Sequence, residues 1–301
     1  MKPKVAFYWC ASCGGCEECI LDLAEDLLPV LDAVEIVFWP VALDFKEHDI
    51  QPVDICFLNG AVRTSEQKRM AELLRANAKV LVAFGACAQL GGIPGLANLS
   101  TARDILETAE EATGSDGDHG LPLPELFDTV LPIDRVVDVD YYVPGCPPTP
   151  KIIGQALTAL LKTEVPSRHS VLAPEQALCE ECPRRATRPE TLALDRFRRV
   201  ADTIIDENMC ILAQGIPCLG PATRAGCEGR CIAGNMPCTG CFGPAPRVRD
   251  FGAKALSAMA SILAPTGDDE ITDALRDLPD PAGTFYRYSL PASFLTRKAT
   301  P

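Results

Sequence analysis

Short runs of β-branched and aromatic residues alternate with amphipathic stretches from residue 4 to about residue 162. The runs at 4–9, 34–38, 53–58, 79–84 and 136–143 predict five strands. Between them, Ile20, Leu23, Leu27 and Leu31 share one helical face, and Met70, Leu73 and Leu74 share another. The second of these helices opens at Thr64 with Gln67 three residues on, a pairing that satisfies the first free amides of a helix. A third stripe, Ile152, Ile153, Ala156, Leu157, Leu160 and Leu161, follows the last strand. Strand and helix in alternation predict an α/β fold, a parallel sheet with crossover helices, whose apolar stripes are core.

The pattern then changes. Residues 110–124 are polar and rich in Gly, Asp and Pro, which predicts a surface loop, and 163–174 reads as a linker. From 179 to 241 cysteines recur at close intervals with little periodicity, as expected of loops organised by bound metal. One helix follows, with Val248, Phe251, Ala255, Met259 and Ile262 at helical spacing, and then a Pro- and Asp-rich stretch. The predicted domains are 1–165, a smaller loop-rich one at 175–265, and a tail at 266–301.

Composition narrows the function. No apolar run approaches the roughly 20 residues that span a bilayer, and the hydrophobic fraction of 47% is that of an ordinary globular chain. A net charge of -13 disfavours nucleic acid, whose phosphates it would repel. Met1-Lys2-Pro3-Lys4 runs straight into a strand without the parts of a secretion signal, so a cytoplasmic location is expected. Fifteen cysteines in a reducing compartment point to metal or cluster ligation rather than disulfides. The three histidines, His48, His119 and His169, lie outside the cysteine clusters, so the sites are all-thiolate and suit zinc or iron–sulfur clusters.

Cys13 and Cys16 follow the first predicted strand, Cys87 the fourth and Cys146 the fifth. In an open parallel sheet, ligands bind beyond the carboxyl ends of the strands, so these four can converge on one 4Fe-4S cube. The regular run Cys10, Cys13, Cys16, Cys19 leaves open which two of its members ligate. Cys56 lies inside an apolar strand and reads as a small buried residue. Farther on, eight cysteines suffice for two four-ligand sites. Chain order pairs Cys179, Cys182, Cys210 and Cys218 as one, and Cys227, Cys231, Cys238 and Cys241 as the other.

Cys13-Gly14-Gly15-Cys16, Gly85-Ala86-Cys87, Pro144-Gly145-Cys146-Pro147-Pro148, Cys179-Glu180-Glu181-Cys182-Pro183-Arg184 and Pro237-Cys238-Thr239-Gly240-Cys241 together resemble the small subunit of nickel-iron hydrogenases. The likeness is nearest to the cytoplasmic, methyl viologen-reducing type associated with heterodisulfide reductase. It implies a flavodoxin-like, doubly wound N-terminal domain and an electron-transfer role in a hydrogenase. Three 4Fe-4S clusters are implied: a proximal one on Cys13, Cys16, Cys87 and Cys146, a medial one on Cys227, Cys231, Cys238 and Cys241, and a distal one on Cys179, Cys182, Cys210 and Cys218. The nickel-iron centre belongs to a partner large subunit, and a small iron–sulfur protein with heterodisulfide reductase is the implied acceptor.

This chain departs from the family in places. Gly15 stands where oxygen-tolerant members add a cysteine, which implies an oxygen-sensitive proximal cluster. Ser12 stands where many relatives carry a glutamate, and Glu17 is the candidate substitute for its proton role. Two other readings compete: a quinone-oxidoreductase-type iron–sulfur subunit, which has no counterpart of the eight C-terminal cysteines, and a zinc-stapled scaffold.

Overall fold

The computed structural model describes residues 2–114, 122–161, 166–264, 267–278 and 280–297. The chain divides into two compact units, Met1–Leu172 with Tyr288–Pro301, and Ala173–Arg287. In the first unit the strands are β1 (Lys4–Trp9), β2 (Glu35–Phe38), β3 (Val53–Asn59), β4 (Val62–Thr64), β5 (Ala78–Phe84), β6 (Leu126–Leu131), β7 (Tyr141–Val143) and β8 (Ser170–Val171). Six of them form one sheet in the order β2-β1-β3-β5-β7-β8, every neighbouring pair parallel. The chain steps outward from β1 to β2 and then returns to the other side of β1, so the winding reverses between β1 and β3. That reversal opens a crevice at the carboxyl ends of these two strands.

Helices of this unit are α1 (Gly15–Leu21), α2 (Leu27–Ala33), α3 (Ser65–Asn77), α4 (Ala86–Leu90), α5 (Ala102–Thr113) and α6 (Pro150–Leu160). Strand alternation divides the core between two faces. Val5 and Phe7 line an apolar pocket with Ile20 of α1 and with Ile153 and Leu157 of α6. On the other face, Ala6, Cys56, Leu58 and Leu81 pack in one cluster with Met70 and Leu74 of α3. Thr64 caps α3, its hydroxyl accepting from the Gln67 amide while Gln67 Oε1 accepts from the Thr64 amide, as the sequence predicts.

Three expectations are revised. The strand expected over 136–143 shrinks to Tyr141–Val143, because residues 133–135 form a 3₁₀ turn and Val136 and Val137 pack on the core from outside the sheet. The stripe from Ile20 to Leu31 breaks at a 3₁₀ turn, Ala24–Asp26, so Ile20 and Leu23 are buried while Leu31 is exposed. Helix α5 extends to Thr113 and so covers the start of the loop expected at 110–124, of which residues 115–121 lie outside the described residues. β4 and β6 form a separate antiparallel ribbon.

The second unit contains α7 (Arg230–Ala233), α8 (Phe251–Ala260), α9 (Asp268–Leu275) and α10 (Pro281–Phe285). Its loops wrap a core that includes Phe197, Ile211, Ile216, Phe242 and Phe251. Buried Arg184 ties those loops together, donating to the carbonyls of Asp206, Met209 and Ile232 and to Asn235 Oδ1. Among the described residues no helix is long and apolar enough to cross a membrane.

Candidate functional site

The loop after β1 carries Cys13 and leads into α1, whose first turn holds Cys16. Cys87 sits on the first turn of α4 directly after β5, and Cys146 follows β7. Two backbone hydrogen bonds fasten the ends of these last two strands: Gly85 N–H to Val143 O at 2.8 Å, and Ala86 N–H to Gly145 O at 2.7 Å. All four thiols consequently meet. Every pair among Cys13, Cys16, Cys87 and Cys146 is close enough for the thiolates to repel one another.

Burial, reinforced by this crowding, pushes the Cys16 thiol far above its ordinary value and the Cys87 thiol up to about 12. Four thiolates there are unfavourable until a cation compensates them, the electrostatic situation of a metal or cluster site. Gly85 shows how close the packing is. Its φ is +88°, and a Cβ placed on it would come 2.3 Å from Cys16 Sγ.

Around this set runs a polar string. Ser12 Oγ donates to Asn59 Oδ1 at 2.9 Å, Asn59 Nδ2 donates to Glu17 Oε1 at 3.0 Å, and Trp39 Nε1 donates to Glu17 Oε2 at 3.0 Å. Glu17 is only 4% exposed, and burial holds its carboxyl above the ordinary range despite these two donors. Sequence reasoning missed Asn59 and Trp39. A polar residue ending the apolar run Cys56-Phe57-Leu58 was the available signal for Asn59.

The other three cysteines stand apart in role. Cys19 is buried, and its Sγ donates to Cys16 O at 2.9 Å. Cys10, directly after β1, and Cys56, within β3, are buried in the same core cluster, and burial pushes each thiol up to about 12.

In the second unit Cys179, Cys182, Cys210 and Cys218 line one pocket, together with Arg188 and Gly220. Cys179 and Cys218 each feel the charge of their thiol neighbours in this set. Gly220 closes over them, and a Cβ there would lie 3.2 Å from Cys179 Sγ. Cys227 neighbours Cys231, and Cys238 neighbours Cys241. Glu181 fixes the loop of the first pair by accepting from the amides of Gly226 at 2.7 Å and Glu228 at 2.8 Å.

Backbone amides point at sulfur throughout: Ile93 at Cys87, Gly220 and Cys238 at Cys218, Gly229 and Arg230 at Cys227, and Gly240 at Cys238. Such donors stabilise thiolate and sulfide charge, so the donor set and its surroundings fit iron–sulfur clusters. Among the described residues no three His, Cys, Asp or Glu side chains have the spacing of a single-ion site.

Comparisons with known proteins agree with this chemistry. A family model described as NADH ubiquinone oxidoreductase, 20 Kd subunit, matches residues 13–160. The iron-sulfur subunit of the F420-non-reducing hydrogenase of Archaeoglobus profundus is 37% identical over 321 residues, covering 99% of each chain. The corresponding F420-non-reducing hydrogenase subunit of Methanothermobacter marburgensis is 36% identical over 305 residues, covering 99% of this chain and 97% of its own. The Ni-Fe-Se hydrogenase structure from Desulfomicrobium baculatum aligns with a TM-score of 0.55 at 19% identity, over 88% of this chain and 100% of that one, a likeness of fold.

Proposed function

Since the chain belongs to the family of F420-non-reducing hydrogenase iron–sulfur subunits, among the small subunits of nickel-iron hydrogenases, we propose that it relays electrons from hydrogen oxidation on a large subunit, through three 4Fe-4S clusters, to an acceptor such as heterodisulfide reductase. It is the iron–sulfur subunit of an oxidoreductase acting on hydrogen as part of a complex. When bound, a 4Fe-4S cluster supplies one-electron redox chemistry.

The observation that carries the reading is the meeting of Cys13, Cys16, Cys87 and Cys146 beyond the strand ends. In this assignment those four residues hold the proximal cluster, against the partner's nickel-iron centre. Cys227, Cys231, Cys238 and Cys241 hold the medial cluster, and Cys179, Cys182, Cys210 and Cys218 the distal one. Arg188, which lines the pocket of Cys179, Cys182, Cys210 and Cys218, offsets part of the burial that raises the Cys179 thiol and so favours negative charge there. The acceptor side is a small iron–sulfur protein with heterodisulfide reductase, and the complex works in the cytoplasm.

Cys146→Ala in the assembled complex tests the assignment. Hydrogen-dependent dye reduction should vanish, while dithionite still develops the paramagnetic signals of the C-terminal clusters. Unchanged hydrogen-dependent activity would refute the proximal ligand set.

A further inference from the structure

The second unit contains a cavity that the thiol sets do not fill. About 390 Å³ in volume, it is bordered by Arg198, Arg199, Arg287, Cys238, Thr239 and Thr284. Three guanidinium groups around one space are unexpected in a chain of net charge -13. A single carboxylate answers them, Asp277 Oδ1 at 3.8 Å from Arg199 Nε. Both partners are well exposed, and loose pairs of that kind contribute little. Among the described residues no ion pair engages Arg198 or Arg287.

Both of these arginines are instead positioned by backbone. The Arg198 amide donates to Gly215 O at 2.9 Å, and its Nε lies 3.4 Å from where a Gly215 Cβ would stand. Arg287 Nε donates to Gly283 O at 2.9 Å, which leaves both terminal nitrogens of its fork for another acceptor. Ile216, Pro217, Leu219 and Pro237 line the same cavity, and this apolar surface screens the cations less than water does. Guanidinium forks lining one cavity match the planar, multiple acceptors of a carboxylate or phosphate group.

We propose that this cavity is a binding site for a small oxyanion, a carboxylate- or phosphate-bearing molecule, held by Arg198 and Arg287 beside Cys238. Resting on the reading that Cys238 holds a cluster, the bound anion adds negative charge next to it and makes that cluster harder to reduce.

Equilibrium dialysis of the anaerobically purified complex against labelled inorganic phosphate is the test. One saturable site per chain is expected, weakened about tenfold or more in R198Q/R287Q, with R287K retaining more affinity than R287Q. Citrate displacing phosphate more strongly than phosphate displaces itself assigns the site to carboxylates, and the converse to phosphates. A lack of saturable binding, or affinity unchanged in the double variant, overturns the proposal. Phosphate should also lower one cluster midpoint potential in the unsubstituted complex alone. Saturable, arginine-dependent binding without that shift upholds the oxyanion site and overturns its link to the cluster.

Discussion

The backbone amide of Cys238 donates to Sγ of Cys218 across 3.3 Å, so a single hydrogen bond joins one residue from each C-terminal cysteine set. The Leu219 amide returns a bond to Cys238 O at 2.9 Å and closes the junction. Clusters on both sides of so short a bridge would interact magnetically when reduced. The fully reduced subunit is therefore expected to show a broadened or split signal from the pair. Cys210→Ala, which removes one ligand away from the junction, should leave a sharp, isolated signal. A split signal persisting in that variant contradicts the pairing of Cys210 with Cys218.

Gly85 tests the tight packing of the N-terminal set. At φ +88° and ψ 166°, a region open to glycine and hardly to other residues, an alanine is strained by about 1–3 kcal/mol, and its Cβ would collide with Cys16 Sγ. Gly85→Ala should fold with reduced stability and lose the iron held by the strand-end set, read as iron content and thermal midpoint. Full iron occupancy would show that the backbone there has room to move.

Much of this architecture was legible in the chain, for identifiable reasons. β1 spans residues 4–9 as its pattern predicts, and Cys13, Cys16, Cys87 and Cys146 meet because strand-end placement follows from topology alone. The ribbon of β4 and β6 escaped because Val62–Thr64 is too short for alternation to register before the α3 cap. In the second unit periodicity marks α8, where Phe251, Ala255 and Met259 are buried at helical spacing, while the cysteine-bearing loops before it carry none to read. The Cys218–Cys238 junction and the loop-tying role of Arg184 depend on how irregular backbone folds back, which spacing does not encode.

Glu17 holds the cysteine-bearing loop through Asn59 and Trp39. Glu17→Gln presents an amide to the Trp39 N–H, donor against donor, and breaks one of the two bonds. The expected outcome is an altered line shape for the strand-end cluster while the C-terminal signals keep theirs. Spectra identical to those of the unsubstituted subunit would remove Glu17 from the cluster's surroundings.

Asp140, just before β7, receives Arg75 at 2.5 Å, Arg168 at 2.7 Å and the Leu81 amide at 2.8 Å. Burial pushes its carboxyl upward, but the Leu81 amide and the two arginines outweigh it and hold the value below the ordinary carboxylate range. The unfolded chain therefore binds the proton more tightly than the folded one. Stability from this group is present above the ordinary value of about 3.9 and is lost as pH falls through the lower folded value. Asp140→Asn should cost about 2–3 kcal/mol near neutrality and flatten the acid side of the stability profile, measured by urea unfolding against pH. An unchanged acid slope would show that Asp140 does not govern it.

Three 4Fe-4S clusters on twelve of the fifteen cysteines would give the chain a defined inorganic cargo. Native mass spectrometry of this subunit, released anaerobically from its complex, measures that cargo directly. A mass excess of about twelve irons and twelve sulfides per chain is expected. Two or three zinc ions, or the mass of only one cluster, would contradict it.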